Sequence, residues 1–86
     1  MLCTKGQVVF SKSGRDKALP FIVVDCDDTY VYLVDGRLRR LEKPKKKKKI
    51  HVQITKNVDM TINRKLNDNE YLLDADIRKA LETYRK

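Results

Sequence analysis

Residues 7–34 read QVVFSKSGRDKALPFIVVDCDDTYVYLV, and this stretch decides the fold class. Three runs rich in β-branched and aromatic residues, Gln7–Ser11, Phe21–Asp25 and Tyr30–Val34, alternate with turn-forming residues. Val, Ile, Phe and Tyr suit a pleated, half-buried surface. Ser13, Gly14 and Asp16 punctuate the first gap, and Asp27-Asp28 the second. Pro20 stands just before the second run, where a residue without an N–H can begin a strand.

Working outward, Asp35-Gly36 follows the third run and predicts a tight hairpin turn, because such turns need positive φ. A fourth strand is then expected over Arg37–Glu42, with Leu38 and Arg40 on one face and Arg39 and Leu41 on the other. A fifth is expected over His51–Ile54, with Val52 and Ile54 inward. Short strands at about ten-residue spacing predict a small all-β barrel. The remaining segment changes period. Ile77, Leu81 and Tyr84 recur at helical spacing behind Asp74, which reads as an N-cap. This stripe is expected to pack on the barrel. Met60, Ile62 and Leu66 suggest a further helical turn. The expected organisation is a barrel over 1–55, carrying a lysine-rich loop at 43–49, and a helical extension over 56–86.

The chain has 86 residues, one domain's worth, and a net charge of +8. That charge is concentrated. Segment 37–49 holds nine cations against the single anion Glu42, while elsewhere cations and anions balance at eleven each. Arg37, Arg39, Arg40, Lys43, Lys45, Lys46, Lys47, Lys48 and Lys49 therefore carry the whole excess. A polyanionic partner follows, and RNA is the expected one. Arginine grips a phosphate with two parallel hydrogen bonds, so the three arginines are expected to position the RNA from a strand. Five consecutive lysines repel one another, and this run is expected to be extended, mobile and disordered, supplying long-range attraction. The competing reading is an edge strand protected from aggregation by its charge. Lys12, Arg15 and Lys17 form a second basic patch, and His51 adjoins the lysine run. Tyr30 and Tyr32 share one face of their strand and are expected to be packing residues.

Other chemistries lack their residues. There is no Ser/His/Asp set, no phosphate-binding glycine loop and no Cys/His ligand cluster, so neither catalysis, a metal nor a cofactor is expected. Asp25, Asp27 and Asp28 read as a turn. Cys26 is expected to be a half-buried free thiol, unless the fold brings Cys3 to it. No apolar stretch is long enough to cross a membrane, and a cytoplasmic monomer is expected.

The order of these motifs resembles a known family. QVVFSKSGRDKALPFIVVD, residues 7–25, resembles a KOW motif: an apolar strand, a basic turn with glycine, and a second apolar strand. LVDGRLRRLEKPKKKKKIHVQIT, residues 33–55, is similar to small KOW-domain RNA-binding proteins of Gram-positive bacteria. Those in turn resemble the archaeal and eukaryotic large-subunit ribosomal protein group called fourteen-e. The resemblance covers about residues 5–55, and the IRKAL segment looks like the helix that closes the bacterial versions. It implies an SH3-like barrel, no enzymatic activity and binding to structured, ribosomal RNA beside ribosomal proteins. It also implies RNA contacts at Lys12, Ser13, Gly14, Arg15 and Lys17. Ala18 departs from the pattern, which usually has glycine there; either the turn is relaxed or its backbone is strained. A protein-interaction adaptor, docking through the Ile77/Leu81/Tyr84 stripe, is the alternative function.

Overall fold

The computed structural model describes residues 3–12, 14 and 17–85. Five strands form one antiparallel sheet: β1 (Gln7–Ser11), β2 (Pro20–Cys26), β3 (Tyr30–Val34), β4 (Lys45–Lys48) and β5 (Val52–Val58). Their order across the sheet is β4-β3-β2-β1-β5. β4 and β5 are its two edges, so the sheet is open and not the closed barrel that strand spacing suggested. A 3-10 turn over Lys49–His51 leads from β4 into β5. Two helices follow, α1 (Met60–Asn67) and α2 (Asp74–Leu81), with a closing 3-10 turn over Glu82–Tyr84. β5 thus runs past the boundary expected at residue 55.

Alternation along the strands builds two cores, one on each face. Val9, Phe21, Val23, Val31, Leu33 and Val52 form the first, at 0–3 % exposure, with Cys3, Cys26 and Ile54 packed against it. No helix contributes to that cluster, so the sheet must curl around it. The second core joins Val8, Ile22 and Val34 to Ile62, Ile77 and Leu81, with Phe10 and Tyr84 packed against it. Phe10 and Tyr84 meet edge to face, their ring centroids 6.4 Å apart. The helical stripe is therefore spent on the sheet, with Ile77 and Leu81 fully buried.

Cap chemistry sets the helix ends. Asp59 caps α1, its carboxylate accepting the N–H of Ile62 at 3.0 Å. Asp74 is not the cap of α2, as its position suggested; Leu73 occupies that place. The Asp74 carboxylate instead accepts the N–H of Leu41 at 2.7 Å, and Asp76 accepts that of Leu73 at 3.0 Å.

The expected strand over Arg37–Glu42 does not form; those residues make bends and a turn. The reason is the Asp35 side chain. One carboxylate oxygen accepts the N–H groups of both Arg37 and Arg39, each at 2.9 Å. The N–H groups of Asp35 and Gly36 both donate to the Arg39 carbonyl. Backbone donors needed for a ladder are thus consumed locally. Gly36 has φ +78°, but Asp35 does not share the positive φ of a two-residue hairpin turn. The partner of β3 is β4, the lysine run itself, in the register Tyr30 to Lys48 and Leu33 to Lys45.

The cysteines also depart from expectation. The fold brings Cys3, ahead of β1, to Cys26, at the end of β2, and the two are disulfide-bonded with Cα atoms 6.7 Å apart. Among the described residues no cysteine is free.

Ala18 is exposed and has φ +68°, the left-handed region that penalises a Cβ. Its N–H donates to the Ser11 carbonyl at 2.7 Å, which holds the strained turn shut. Ala18→Gly should therefore stabilise the protein by about 0.5–1 kcal/mol, the strain relieved outweighing the added freedom of the unfolded chain. Calorimetry would then show Tm higher by a few degrees; a lower Tm contradicts the strained turn.

Candidate nucleic-acid interface

Lys45–Lys48 are held as an edge strand by the ladder to β3, so the lysine run is ordered and neither mobile nor a loop. Strand geometry overcomes the self-repulsion because neighbouring side chains leave on opposite faces. Lys45 and Lys47 are half-buried, while Lys46 and Lys48 are exposed. Lys47 of the inward pair has a structural role, since its ammonium donates to the Ser11 hydroxyl at 2.6 Å and so links β4 to β1.

The outward pair faces the partner. Lys48 lies opposite Tyr30 and Lys46 opposite Tyr32. Directly opposed residues share a face, with Cβ atoms about 5 Å apart. The Lys46 ammonium stands over the Tyr30 ring, 4.2 Å from its centroid, a cation–π contact. Val31 and Leu33, which alternate with the tyrosines, are fully buried in the first core, and neither tyrosine belongs to either core. The tyrosines are thus half-buried on the outer face beside the lysines, not core packing as expected from their alternation. Their strand spacing was visible in the sequence; which face would be covered was not.

Other basic residues gather at the end of β4. Lys49 donates its N–H to the Thr29 carbonyl at 2.9 Å, and the His51 carbonyl accepts the N–H of Lys12 at 2.8 Å. Lys12 and His51 are both exposed, and Ile50 between Lys49 and His51 is 72 % exposed. Lys12 of the first loop is therefore joined to the lysine segment. Lys17 and Gly14 are exposed on the same loop, and Lys17 forms a bridge with Ser11. Ser13 and Arg15 lie outside the described residues.

The arginines stand apart. Arg37 and Arg40 are exposed and Arg39 half-buried on the loop that follows Asp35. Although not on a strand, their backbone is anchored: besides the Asp35 and Asp74 bonds, Arg78 of α2 donates to the Gly36 carbonyl at 2.7 Å. Arg37 and Arg85 line a cleft of about 850 Å³ with Phe10, Leu19, Pro20 and Tyr84. Lys43 is exposed just ahead of β4.

Two acidic groups near the lysines, Asp27 and Asp25, are engaged with the backbone. Asp27 accepts the N–H groups of Thr29 and Tyr30 at 2.9 and 2.7 Å. Those two bonds, the Tyr30 bond foremost, hold its carboxyl below the usual value of 3.8, and Lys46 and Lys49 add to the effect. The carboxylate thus stays charged, and its contribution to stability is lost only as pH falls through that lowered value. Asp25 accepts the N–H of Cys26 at 2.8 Å. Among the described residues no group of three or more His, Cys, Asp or Glu is placed to hold a metal. Among them, too, no helix is long and apolar enough to cross a membrane.

No protein-family model matches the chain. No curated protein matches it either.

Proposed function

We propose that this protein is a non-catalytic RNA-binding protein that works on ribosomal RNA, in the ribosome or in its assembly. The observation that carries the reading is an ordered cationic strand. Lys46 and Lys48 face solvent from β4, with Lys12, Lys49 and His51 gathered at its end. Ordered lysines meet phosphates without first losing the freedom of a mobile run. Release of condensed counterions then drives binding.

The choice of ribosomal RNA rests on the KOW resemblance of residues 5–55. So does the reading of the curled sheet, with β5 returning beside β1, as an SH3-like arrangement. The position of the lysines on a sheet edge also favours a protective role against edge pairing. One or two charges suffice for that, and segment 37–49 carries nine cations. The adaptor reading loses its docking stripe, since Ile77 and Leu81 are fully buried beneath α2.

Fluorescence anisotropy with labelled ribosomal RNA fragments at about 50–200 mM KCl tests the proposal. Log affinity should fall linearly with log salt, by about 0.7–0.9 per phosphate neutralised. Absence of binding at the lowest salt, or an affinity indifferent to salt, rejects RNA and leaves the edge-protection role.

A further inference from the structure

One half of the sheet's outer face is covered and the other is not. Val8, Ile22 and Val34 on that face lie under Ile62 of α1 and Ile77 and Leu81 of α2. Two residues back along β3 from Val34, on the same side of the pleat, stands Tyr32, and two further back Tyr30. Helix cover has ended there, and both rings lie outside the helix-covered core. Lys46 and Lys48 face these rings from β4, and exposed Asp25 is opposite Tyr32 on β2.

We propose that Tyr30 and Tyr32 are a stacking platform that makes the protein select unpaired RNA over duplex. This inference rests on the RNA reading above and adds the kind of RNA bound. Aromatic rings accept any base, because every base has a π-face. Two tyrosines at i and i+2 of a strand are spaced by about 7 Å. Bases in a duplex strand repeat every ~3.4 Å. The platform therefore fits bases that have been splayed apart and not consecutive bases of a helix. In double-stranded RNA the base faces are stacked on one another and closed to side chains.

Charge sets the direction of the strand. Lys46 and Lys48 attract phosphates to the β4 side of the rings, and the Asp25 carboxylate repels them from the β2 side. The backbone thus tracks along β4, and the bases reach over β3. Tyr30 begins beneath the Lys46 ammonium, which must move to a phosphate before a base can stack there. Tyr32 carries the larger share for that reason.

The test uses the full chain with fluorescein-labelled U12 and a 12-base-pair RNA duplex, at about 100 mM KCl. Wild type should bind U12 more tightly than the duplex, and U12 should quench tyrosine fluorescence. Tyr32→Leu should weaken U12 binding roughly tenfold, leaving duplex affinity and the salt slope unchanged. Tyr32→Phe keeps the ring and should keep U12 affinity; Tyr30→Leu should lose less than Tyr32→Leu. Duplex binding as tight as U12 binding with no tyrosine quenching overturns the platform, whether or not Tyr32→Leu folds. So does unchanged U12 affinity in a folded Tyr32→Leu, or an equal loss on both RNAs. Those outcomes leave the RNA reading intact, whereas failure of wild type to bind either RNA overturns both.

Discussion

Lys46→Glu with Lys48→Glu is expected to lower affinity for RNA about 100-fold near 0.1 M salt, while leaving the melting temperature within a few degrees of wild type. Both side chains are exposed on an edge strand, so the only packing contact the substitution removes is that of the Lys46 ammonium on the Tyr30 ring. What it removes is two phosphate contacts, and it puts two like charges in their place. Each lost phosphate contact weakens binding at all sequences and lowers the salt slope by close to one. Two such losses, with repulsion added, reach the stated order. Lys45→Ala with Lys47→Ala is the informative contrast. Lys47 is half-buried and holds Ser11, so the cost of that variant should appear in stability as well as in binding. Anisotropy titrations and thermal melts on both variants separate the two roles. Equal RNA affinity for the glutamate variant and wild type would remove β4 from the interface.

Gly36→Ala should be highly damaging for so small a substitution, costing about 3 kcal/mol. Gly36 has φ +78°, and a Cβ there would lie 2.5 Å from the Asp74 carbonyl oxygen and 2.8 Å from Cγ of Arg78. The carbonyl belongs to the first residue of α2 and moves only if the helix moves. Ile77 and Leu81 of that helix are fully buried in the second core, so the displacement would be felt there. For a domain of this size Tm should fall by roughly 15 °C. Gly14→Ala serves as the control: φ is +76°, yet nothing lies within 4 Å of its Cβ position. It bears only the backbone penalty, on the order of 1 kcal/mol. Similar losses for the two variants would mean that the contact with α2 contributes nothing. Because Gly36 also precedes the arginine loop, its variant reports whether those arginines matter to binding once their anchorage on α2 is disturbed.

Much of the fold is legible in the residues themselves. β1 and β3 begin and end where their apolar runs do, and β2 extends its run by one residue at each end. The Ile77/Leu81/Tyr84 stripe packs on the sheet as its helical period requires. The fourth strand falls elsewhere than its pattern indicates because propensity is local. Arg37–Glu42 alternates and follows Asp-Gly, whereas KKKK has poor strand propensity and strong self-repulsion. Tertiary context reversed both. The Asp35 carboxylate wraps the first segment into a loop, and the exposed edge of β3 recruits the second. With that, the lysines became the ordered element.

Residue order alone determined the strand-rich class, the helical ending and the concentration of all excess charge in thirteen residues, since each depends on side-chain type and spacing along the chain. Tertiary structure decided where that charge stands and what stands beside it. Pairing of Lys46 with Tyr32 and of Lys48 with Tyr30 joins residues fourteen and eighteen positions apart. Such a register is selected by which faces the two cores bury. No local propensity encodes that choice, because either face of β3 is apolar enough to have been the inner one.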